Sequence, residues 1–337
     1  PEKDKLFFKY FLISLLGNAI IRYLLKDGGK DLKKIVLMLL AFVSLFVLFG
    51  CKEEEYVNPK VLAVQLIPSK DTAVLNAQRG PLEALLEAEL DMPVQVTVAT
   101  DYNALIEAMG SELVHVGLLA TTAYVLAADE GYAKVILKSL RYDVADDGTQ
   151  LTDKPLVAGY KSQLVVHKDS GITSVAGLKG KRIAIASFTS TSGFVWPANL
   201  LADNNLDPEK DVTWVNAGGH DKAIQAVLNG QADAAFTFKD ARALLVKTVP
   251  DVREQVIFIR DTESIPNDTI SVITRLDPAL VEKIKQAFLN IAASEEGKAI
   301  INAVYEHKGY AVATDEEYNI VRTYLNRQKE WDFGAKK

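Results

Sequence analysis

Short apolar runs alternate with longer amphipathic stretches along the chain from Val61 onward. The runs VLAVQLIP, VQVTVA and VHVGLLA have the length and β-branched content of buried strands. The stretches between them, at Leu82 to Leu90 and Tyr102 to Met109, have the apolar spacing of helices. Strands separated by helices of about ten residues predict an α/β fold with mainly parallel sheets flanked by helices.

The same alternation starts again in the middle of the chain and ends in a helical C-terminal tail. Strands are predicted at Gln163 to His167, Arg182 to Ser187, Val212 to Val215, Ala232 to Phe238 and Ile270 to Ile273. Helices are predicted at Phe194 to Asn204, Asp221 to Asn229 (ended by Gly230), Pro278 to Ala293, Ser294 to Tyr305 and Asp315 to Glu330.

Two such units, with no low-complexity linker between them, predict two lobes. Residues 60–158 together with 270–337 form lobe 1, and residues 159–269 form lobe 2. We expect two crossing hinge strands, near Leu156 to Val165 and Glu263 to Ile273. A ligand would then bind in the cleft between the lobes, at loops that follow strand C-termini.

A hydrophobic run precedes the lobes. Ile35 to Gly50 is almost wholly apolar, follows the basic pair Lys33-Lys34, and ends at Cys51 and a charged segment. This layout predicts a signal peptide at 32–50. A transmembrane anchor is the alternative, but a span needs about 20 apolar residues and this run is shorter.

Cys51 is the single cysteine of the chain. The segment Leu48-Phe49-Gly50-Cys51 resembles the lipobox of bacterial lipoproteins, in which the cysteine is diacylated and becomes the mature N-terminus. This resemblance implies an exported protein, periplasmic or held on the outer face of the cell membrane by a lipid on Cys51. Residues 51–59 are then a lipidated tether.

We expect residues 1–31 not to be translated, because they stand in front of a signal peptide and do not begin with Met. Codons for Asp27 to Leu32 could contain a ribosome-binding site followed by a start codon at Leu32, which the nucleotide sequence would reveal. A genuine extra amphipathic or membrane segment at Leu6 to Leu25 is the alternative.

The charge balance argues against a nucleic-acid partner. Residues 1–50 hold 8 of the 38 Lys and Arg and 4 of the 44 Asp and Glu residues, which leaves 30 basic and 40 acidic residues and a net charge near −10. An acidic protein that binds an anion must use local dipoles and a few donors.

The segment from Arg182 to Pro197 is a strand that leads through hydroxyl residues into a helix. Ser190, Thr191 and Ser192 would add hydroxyl donors to the free N–H groups and positive dipole end of that helix, and Gly193 would permit close backbone approach. A tetrahedral oxyanion fits such a site. Ordinary N-capping without a ligand is the alternative.

A second candidate is His220 in Gly218-Gly219-His220-Asp221, after another strand of the same lobe and at a helix start. It could donate to an oxygen of the same anion. A structural histidine is the alternative.

Taken together, these motifs resemble the phosphonate-, phosphite- and phosphate-binding lipoproteins of ABC importers, over about Val61 to Tyr324. The resemblance is carried in chain order by Lys179-Gly180-Lys181, Ser190 to Gly193 with Pro197, Gly219-His220-Asp221, Asn229 to Phe236 with Asp240, and Ile265 to Asp268. It implies a two-lobed periplasmic-binding-protein type II fold.

The family resemblance also implies roles for individual residues. Ser190, Thr191 and Ser192 would hold the phosphonate oxygens, together with His220 and with Tyr160 of the first crossing strand. In members whose ligand carries an amino group, two acidic residues contact it, and these positions correspond to Asp240 and Asp268. Both could instead pair with Lys239 or Arg242.

This chain departs from the family at Val116 to Tyr124, where many members have an aromatic residue or a Gly-Pro turn. We expect a more aliphatic wall, with Thr121 and Thr122 as substitute donors. Ser69 and Thr72, after the first strand, are further candidate contacts.

Catalysis is not expected. The chain has four histidines and no H-E-x-x-H, G-x-S-x-G or paired-cysteine metal motif. We expect a monomer without metal or cofactor that captures its oxyanion by lobe closure and delivers it to a membrane permease and its ATPase. The alternative function is a type II receptor for another small molecule, such as a vitamin precursor or an amino acid.

Overall fold

The computed structural model describes residues 56–329 and 331. The segment predicted to be untranslated (1–31), the predicted signal peptide (32–50) and the predicted lipidation site Cys51 lie outside the described residues. Within the described range, no helix combines the length and the apolar character needed to cross a membrane.

Two β-sheets organise the described chain. In sequence order the strands are β1 (Leu62–Leu66), β2 (Val94–Val98), β3 (Val116–Leu119), β4 (Ala133–Leu140), β5 (Gly159–His167), β6 (Arg182–Ile185), β7 (Thr213–Asn216), β8 (Ala234–Phe238), β9 (Val256–Pro266), β10 (Thr269–Ile273) and β11 (Gly309–Val312). The first sheet has the order β11-β4-β10-β3-β1-β2, and the second has the order β7-β6-β8-β5-β9. The chain therefore passes between sheets twice, from β4 to β5 and from β9 to β10. We call the part around the first sheet lobe 1 and the part around the second sheet lobe 2.

Both sheets are mixed, whereas the sequence pattern predicts mainly parallel ones. β1 is parallel to β2 and β3, and β6 is parallel to β7 and β8. β10 is antiparallel to β3 and β4, β11 to β4, and β5 to β8 and β9. β5 and β10, which each follow a crossing between sheets, run against the βα units of their lobe, and β11 runs against β4 at the edge of the first sheet.

Helices cover the sheets. They are α1 (Thr72–Leu90), α2 (Tyr102–Gly110), α3 (Thr121–Asp129), α4 (Trp196–Asp203), α5 (His220–Leu228), α6 (Val252–Gln255), α7 (Pro278–Ala293), α8 (Glu295–Tyr305) and α9 (Asn319–Gln328). A π-helical turn at Thr191–Val195 precedes α4, and short 3-10 turns lie at Val175–Leu178, Ala241–Leu245 and Asp315–Tyr318.

The first helix is longer than the sequence pattern predicts. It begins at Thr72, capped by the Asp71 carboxylate, and continues through Gly80 and Pro81. A Gly-Pro pair usually ends a helix, because the proline ring crowds the side chain of the residue before it. Gly80 has no side chain, so the helix continues at the cost of one backbone hydrogen bond.

The predicted C-terminal helical tail is interrupted. β11 pairs with β4 at the sheet edge, and the Asp315–Tyr318 turn precedes α9. A four-residue strand that pairs on one side only gives too short an apolar pattern to be identified from sequence.

Helix α9 packs against both lobes. The Tyr324 ring stacks on the Trp196 ring of α4, with centroids 4.3 Å apart. The Gln328 amide donates to the Val195 carbonyl over 2.9 Å, so α9 is joined to lobe 2 beside the π-helical turn. On the lobe 1 side, Arg322 Nε donates to Asp129 of α3 over 2.6 Å. This helix therefore bridges the lobes on the side of α3 and α4.

Candidate functional site

A cavity lies between the lobes, with about 40 Å³ available to the centres of water-sized molecules. Lobe 1 contributes the ends of β1 and β3, and lobe 2 contributes the turn before α4 and the start of α5. Its apolar wall consists of Ile67, Leu118, Leu119, Ala120 and Phe238. Lobe 1 supplies four of these five residues, and three of them, Leu118 to Ala120, lie in the segment for which an aliphatic wall was predicted.

The turn from Ser190 to Gly193 forms one end of the cavity. Ser190 Oγ accepts a hydrogen bond from the Gly193 N–H over 3.1 Å and so caps the turn. Ser162 Oγ donates to the Ser192 carbonyl over 2.6 Å and fixes the turn against β5. A Cβ atom on Gly193 would lie 2.9 Å from Ser190 Oγ, so only glycine fits there without rearrangement. Ser190 and Ser192 line the cavity.

Thr191 has a different role from its two neighbours. Its Oγ1 accepts a hydrogen bond from the backbone N–H of Thr122 in lobe 1 over 2.8 Å. Thr121 Oγ1 donates to the Pro266 carbonyl at the hinge over 2.7 Å. The structure therefore places Thr121, Thr122 and Thr191 at the contact between lobes, next to the cavity and outside its lining.

His220 stands opposite Ser190, with Nε2 3.5 Å from Ser190 Oγ. Its backbone N–H donates to the Ser69 carbonyl of lobe 1 over 3.0 Å. Within the described residues, Nδ1 has no hydrogen-bond partner. Burial lowers the pKa of His220 to about 4, although the charge of Asp268 acts in the opposite direction. The ring is therefore neutral at pH 7 and offers one N–H donor.

Three tyrosines line the cavity as well, namely Tyr102, Tyr160 and Tyr305. Burial raises the pKa of each of them, so each phenol keeps its proton. Tyr305 donates its proton to the Ile67 carbonyl over 2.6 Å. Tyr102 lies against the Ser190 hydroxyl, and Tyr160 against those of Ser192 and Thr121, so both phenols stand beside the serine turn.

A charged cluster forms the other end of the cavity. Arg141 Nη2 lies 3.1 Å from Asp268 Oδ2, and His307 Nε2 lies 3.8 Å from the same oxygen. Burial alone would raise the pKa of Asp268, but the neighbouring His307 ring and the Arg141 charge outweigh it and lower that pKa. Asp268 is therefore an ionised carboxylate that already has a cationic partner.

Asp240 does not face the cavity. Its carboxylate lies 3.2 Å from Arg242 Nε and 2.5 Å from Arg253 Nη2, in a buried ion cluster. The residue has a left-handed backbone conformation (φ 59°) at the end of β8, and the two guanidinium groups satisfy its charge. This placement favours the alternative given above for Asp240, pairing with Arg242, over contact with a ligand amine.

Several lining residues were not identified from the sequence, namely Lys70, Tyr102, Arg141, Tyr305, Glu306 and His307. Arg141 follows β4, a strand that was not predicted, and the others carry no motif. The candidate Ser69 does line the cavity, whereas the candidate Thr72 is the exposed first residue of α1.

The arrangement suits recognition of an anion. Hydroxyl donors, a neutral histidine and the N-terminus of a helical turn converge on one end of a small cavity between the lobes. Among residues 56–329 and 331, no group of three or more His, Cys, Asp or Glu residues is placed to hold a metal ion.

The low pKa of His220 predicts a pH dependence of stability. Its ordinary pKa of 6.5 applies in the unfolded chain, so between pH 6.5 and about 4 the unfolded state binds more protons. The stability that the neutral ring contributes is complete above pH 6.5 and is lost as the pH falls through that window. The slope contributed is up to about 1.4 kcal/mol per pH unit.

We expect His220→Gln to reduce this slope in urea unfolding of ligand-free protein in phosphate-free buffer. Comparison at pH 8, where the ring is neutral in both states, measures the packing cost of the substitution separately. Identical slopes for the two proteins between pH 6.5 and 4.5 would contradict the expectation.

Residues 64–318 match the protein family described as "ABC transporter, phosphonate, periplasmic substrate-binding protein". The phosphate-import protein of Mycolicibacterium smegmatis is 26% identical over 284 residues, covering 78% of this chain and 84% of that protein. The phosphonates-binding periplasmic protein of Escherichia coli is 28% identical over 269 residues, covering 78% and 76%.

Solved structures show the same fold. A binding-protein component of an ABC phosphonate transporter from Pseudomonas aeruginosa superposes with a TM-score of 0.69 at 22% identity, covering 83% of this chain and 90% of that chain. A Prochlorococcus marinus protein in complex with methylphosphonate also has a TM-score of 0.69, at 21% identity, covering 81% and 100%. The predicted two-lobed fold is therefore confirmed.

Proposed function

Since this chain belongs to the family of periplasmic phosphonate-binding proteins of ABC transporters, we propose that it captures a small phosphorus oxyanion between its lobes. The ligand class comprises phosphonate, phosphite and phosphate. The chain is a substrate-binding component and not an enzyme, as are its relatives. Partners that fit this role are a membrane permease and its ATPase, to which the loaded protein delivers the ligand.

The observation that carries the proposal is the convergence of Ser190, Ser192 and His220 on one end of the cavity. The first N–H groups of the helical turn lack intrahelical acceptors and carry the positive end of its dipole. The Gly193 N–H already donates to Ser190 Oγ, so an oxyanion placed there would accept from the N–H groups before Gly193 and from the serine hydroxyls. Tyr102 and Tyr160 could donate from the facing walls.

The size of the cavity favours a small ligand. A water molecule needs about 10–15 Å³ of such volume, so the cavity holds about three waters. A phosphorus centre with three or four oxygen atoms and a short substituent is of this order. A long tail would require the lobes to stand further apart.

Contacts across the cleft support capture by lobe closure. The Thr122 N–H bonds to Thr191 Oγ1 on one side of the cleft, and the His220 N–H bonds to the Ser69 carbonyl on the other. Opening would break both bonds by rotation about the two chain crossings between the lobes. Ligand binding would favour the closed state because oxygen ligands then meet donors from both lobes.

Because the family is periplasmic, the protein is exported. We extend the proposal to a lipid anchor on Cys51. Acyl chains contribute about 0.8 kcal/mol per buried CH₂ group, so two chains hold a protein firmly on a membrane.

The oxyanion assignment is tested by isothermal titration with phosphate, phosphite and methylphosphonate. We expect the double variant Ser190→Ala, Ser192→Ala to bind every anion at least about a hundredfold more weakly, because two hydrogen bonds to a charged ligand are lost. Ser187→Ala is the matched control, since its hydroxyl pairs with Thr189 Oγ1 (2.9 Å) outside the cavity. If the wild-type protein shows no heat of binding with any of the three anions, the oxyanion assignment is wrong.

Closure is tested at Thr191. Thr191→Val leaves the Thr122 N–H without its acceptor in the closed form, which costs about 1–2 kcal/mol and weakens binding about five- to thirtyfold. The factor should be equal for all anions, because the closed state and not a ligand contact is affected. Thr191→Ser keeps the hydroxyl and should bind like the wild type. A loss that differs between ligands would instead indicate direct contact.

Lipidation is tested by Cys51→Ser in the producing bacterium. We expect the variant to move from the membrane fraction to the soluble fraction and to lose labelling by radioactive palmitate. Asn58→Ser, in the same tether, should fractionate as the wild type. A Cys51→Ser protein that stays with the membrane would exclude this anchor.

A further inference from the structure

The charged end of the cavity contains a cation where an amine-binding site would need free carboxylates. Arg141 follows β4 directly, and its guanidinium lies over the Tyr160 ring at 4.8 Å from the ring centre. It also forms the ion pair with Asp268, whose side chain is 24% exposed while that of Arg141 is 14% exposed. Both residues line the cavity, and the guanidinium already binds one carboxylate oxygen of Asp268.

The second acidic residue at this end is balanced as well. Glu306 shares the cavity with Lys70, and Lys70 Nζ donates to the Ala303 carbonyl over 2.8 Å. The lining therefore carries two cations and two carboxylates, which leaves no net negative charge to attract an ammonium group.

The unpaired Arg141 Nε–H is a further argument against an ammonium group in this cavity. Arg141 Nε is buried and has no hydrogen-bond partner among the described residues. Arg141 also lines the cavity. The Arg141 Nε–H can only donate, and an ammonium group has no lone pair to accept from it. An ammonium group would also stand beside the guanidinium charge.

We propose that Arg141 determines specificity by engaging Asp268, so that the site accepts phosphorus oxyanions with a short uncharged substituent and rejects those with an ammonium group. This inference rests on the proposed function, since it assumes that the oxyanion lies at Ser190 and Ser192. It replaces the expectation, drawn from the family resemblance, that Asp268 contacts a ligand amine.

The first test compares two ligands of equal size in the full-length wild-type protein. 2-Aminoethylphosphonate and n-propylphosphonate share the phosphonate group and differ in an ammonium against a methyl group. Isothermal titration should show n-propylphosphonate bound at least about tenfold more tightly. Equal or tighter binding of the amine would overturn the proposal.

The second test removes the cation. Arg141→Gln frees Asp268 and should shift the affinity ratio by about tenfold or more toward 2-aminoethylphosphonate. Arg141→Lys keeps a positive charge and should retain the wild-type ratio. Arg182→Gln is the matched control, because Arg182 pairs with Asp233 (2.9 Å) outside the cavity. An unchanged ratio in Arg141→Gln would show that Arg141 does not set the specificity.

The wild-type comparison keeps the proposal open to refutation even if Arg141→Gln does not fold. Titration with methylphosphonate distinguishes a failure of the proposed function from a failure of the Arg141 specificity. If neither methylphosphonate, phosphite nor phosphate binds, the proposed function fails together with this inference. If methylphosphonate binds and the amine binds as well as n-propylphosphonate, this inference alone fails.

Discussion

The buried turn from Ser190 to Gly193 imposes a hydrogen-bonding requirement that much of the surrounding structure satisfies. Three hydroxyl side chains lie there at 2% exposure or less, and buried polar groups without partners are costly. Ser190 caps its own turn, Thr191 accepts from the other lobe, and Ser162 of β5 holds the Ser192 carbonyl. One of these bonds exists only when the lobes meet. The anion site and the closed arrangement of the lobes are therefore built from the same few atoms.

The two ends of the cavity differ in their electrostatics. At the serine end the groups that face an anion are hydroxyl and N–H donors and the neutral ring of His220. At the other end, formal charges are present but already paired, with Asp268 against Arg141. A protein with a net charge near −10 over residues 51–337 can thus hold an anion through local dipoles, without a basic surface that would attract other polyanions.

The sequence was most informative where function requires a local motif. The Ser190 turn and His220 each follow a strand and begin a helix, so their convergence could be anticipated from strand order alone. Arg141 and His307 could not be, because β10 inserts between β3 and β4, and β11 pairs with β4, through contacts distant in sequence. The sequence left Asp240 open between a ligand amine and Arg242, because a left-handed backbone conformation at a non-glycine residue has no clear sequence signal. The length of α1 depended on Gly80 relieving the strain of Pro81.

Helix α9 gives the fold a property that the cavity alone would not have. It holds Trp196 of lobe 2 through a stacked ring and Asp129 of lobe 1 through an ion pair, far along the chain from the serine turn. The measured affinity of a two-state receptor is its intrinsic affinity multiplied by the fraction of molecules in the competent state. By contacting both lobes, α9 affects the fraction of closed molecules and so the measured affinity, although it lines no part of the cavity. Substitutions along α9 can change the ligand concentration needed to saturate the protein without changing its preference among ligands.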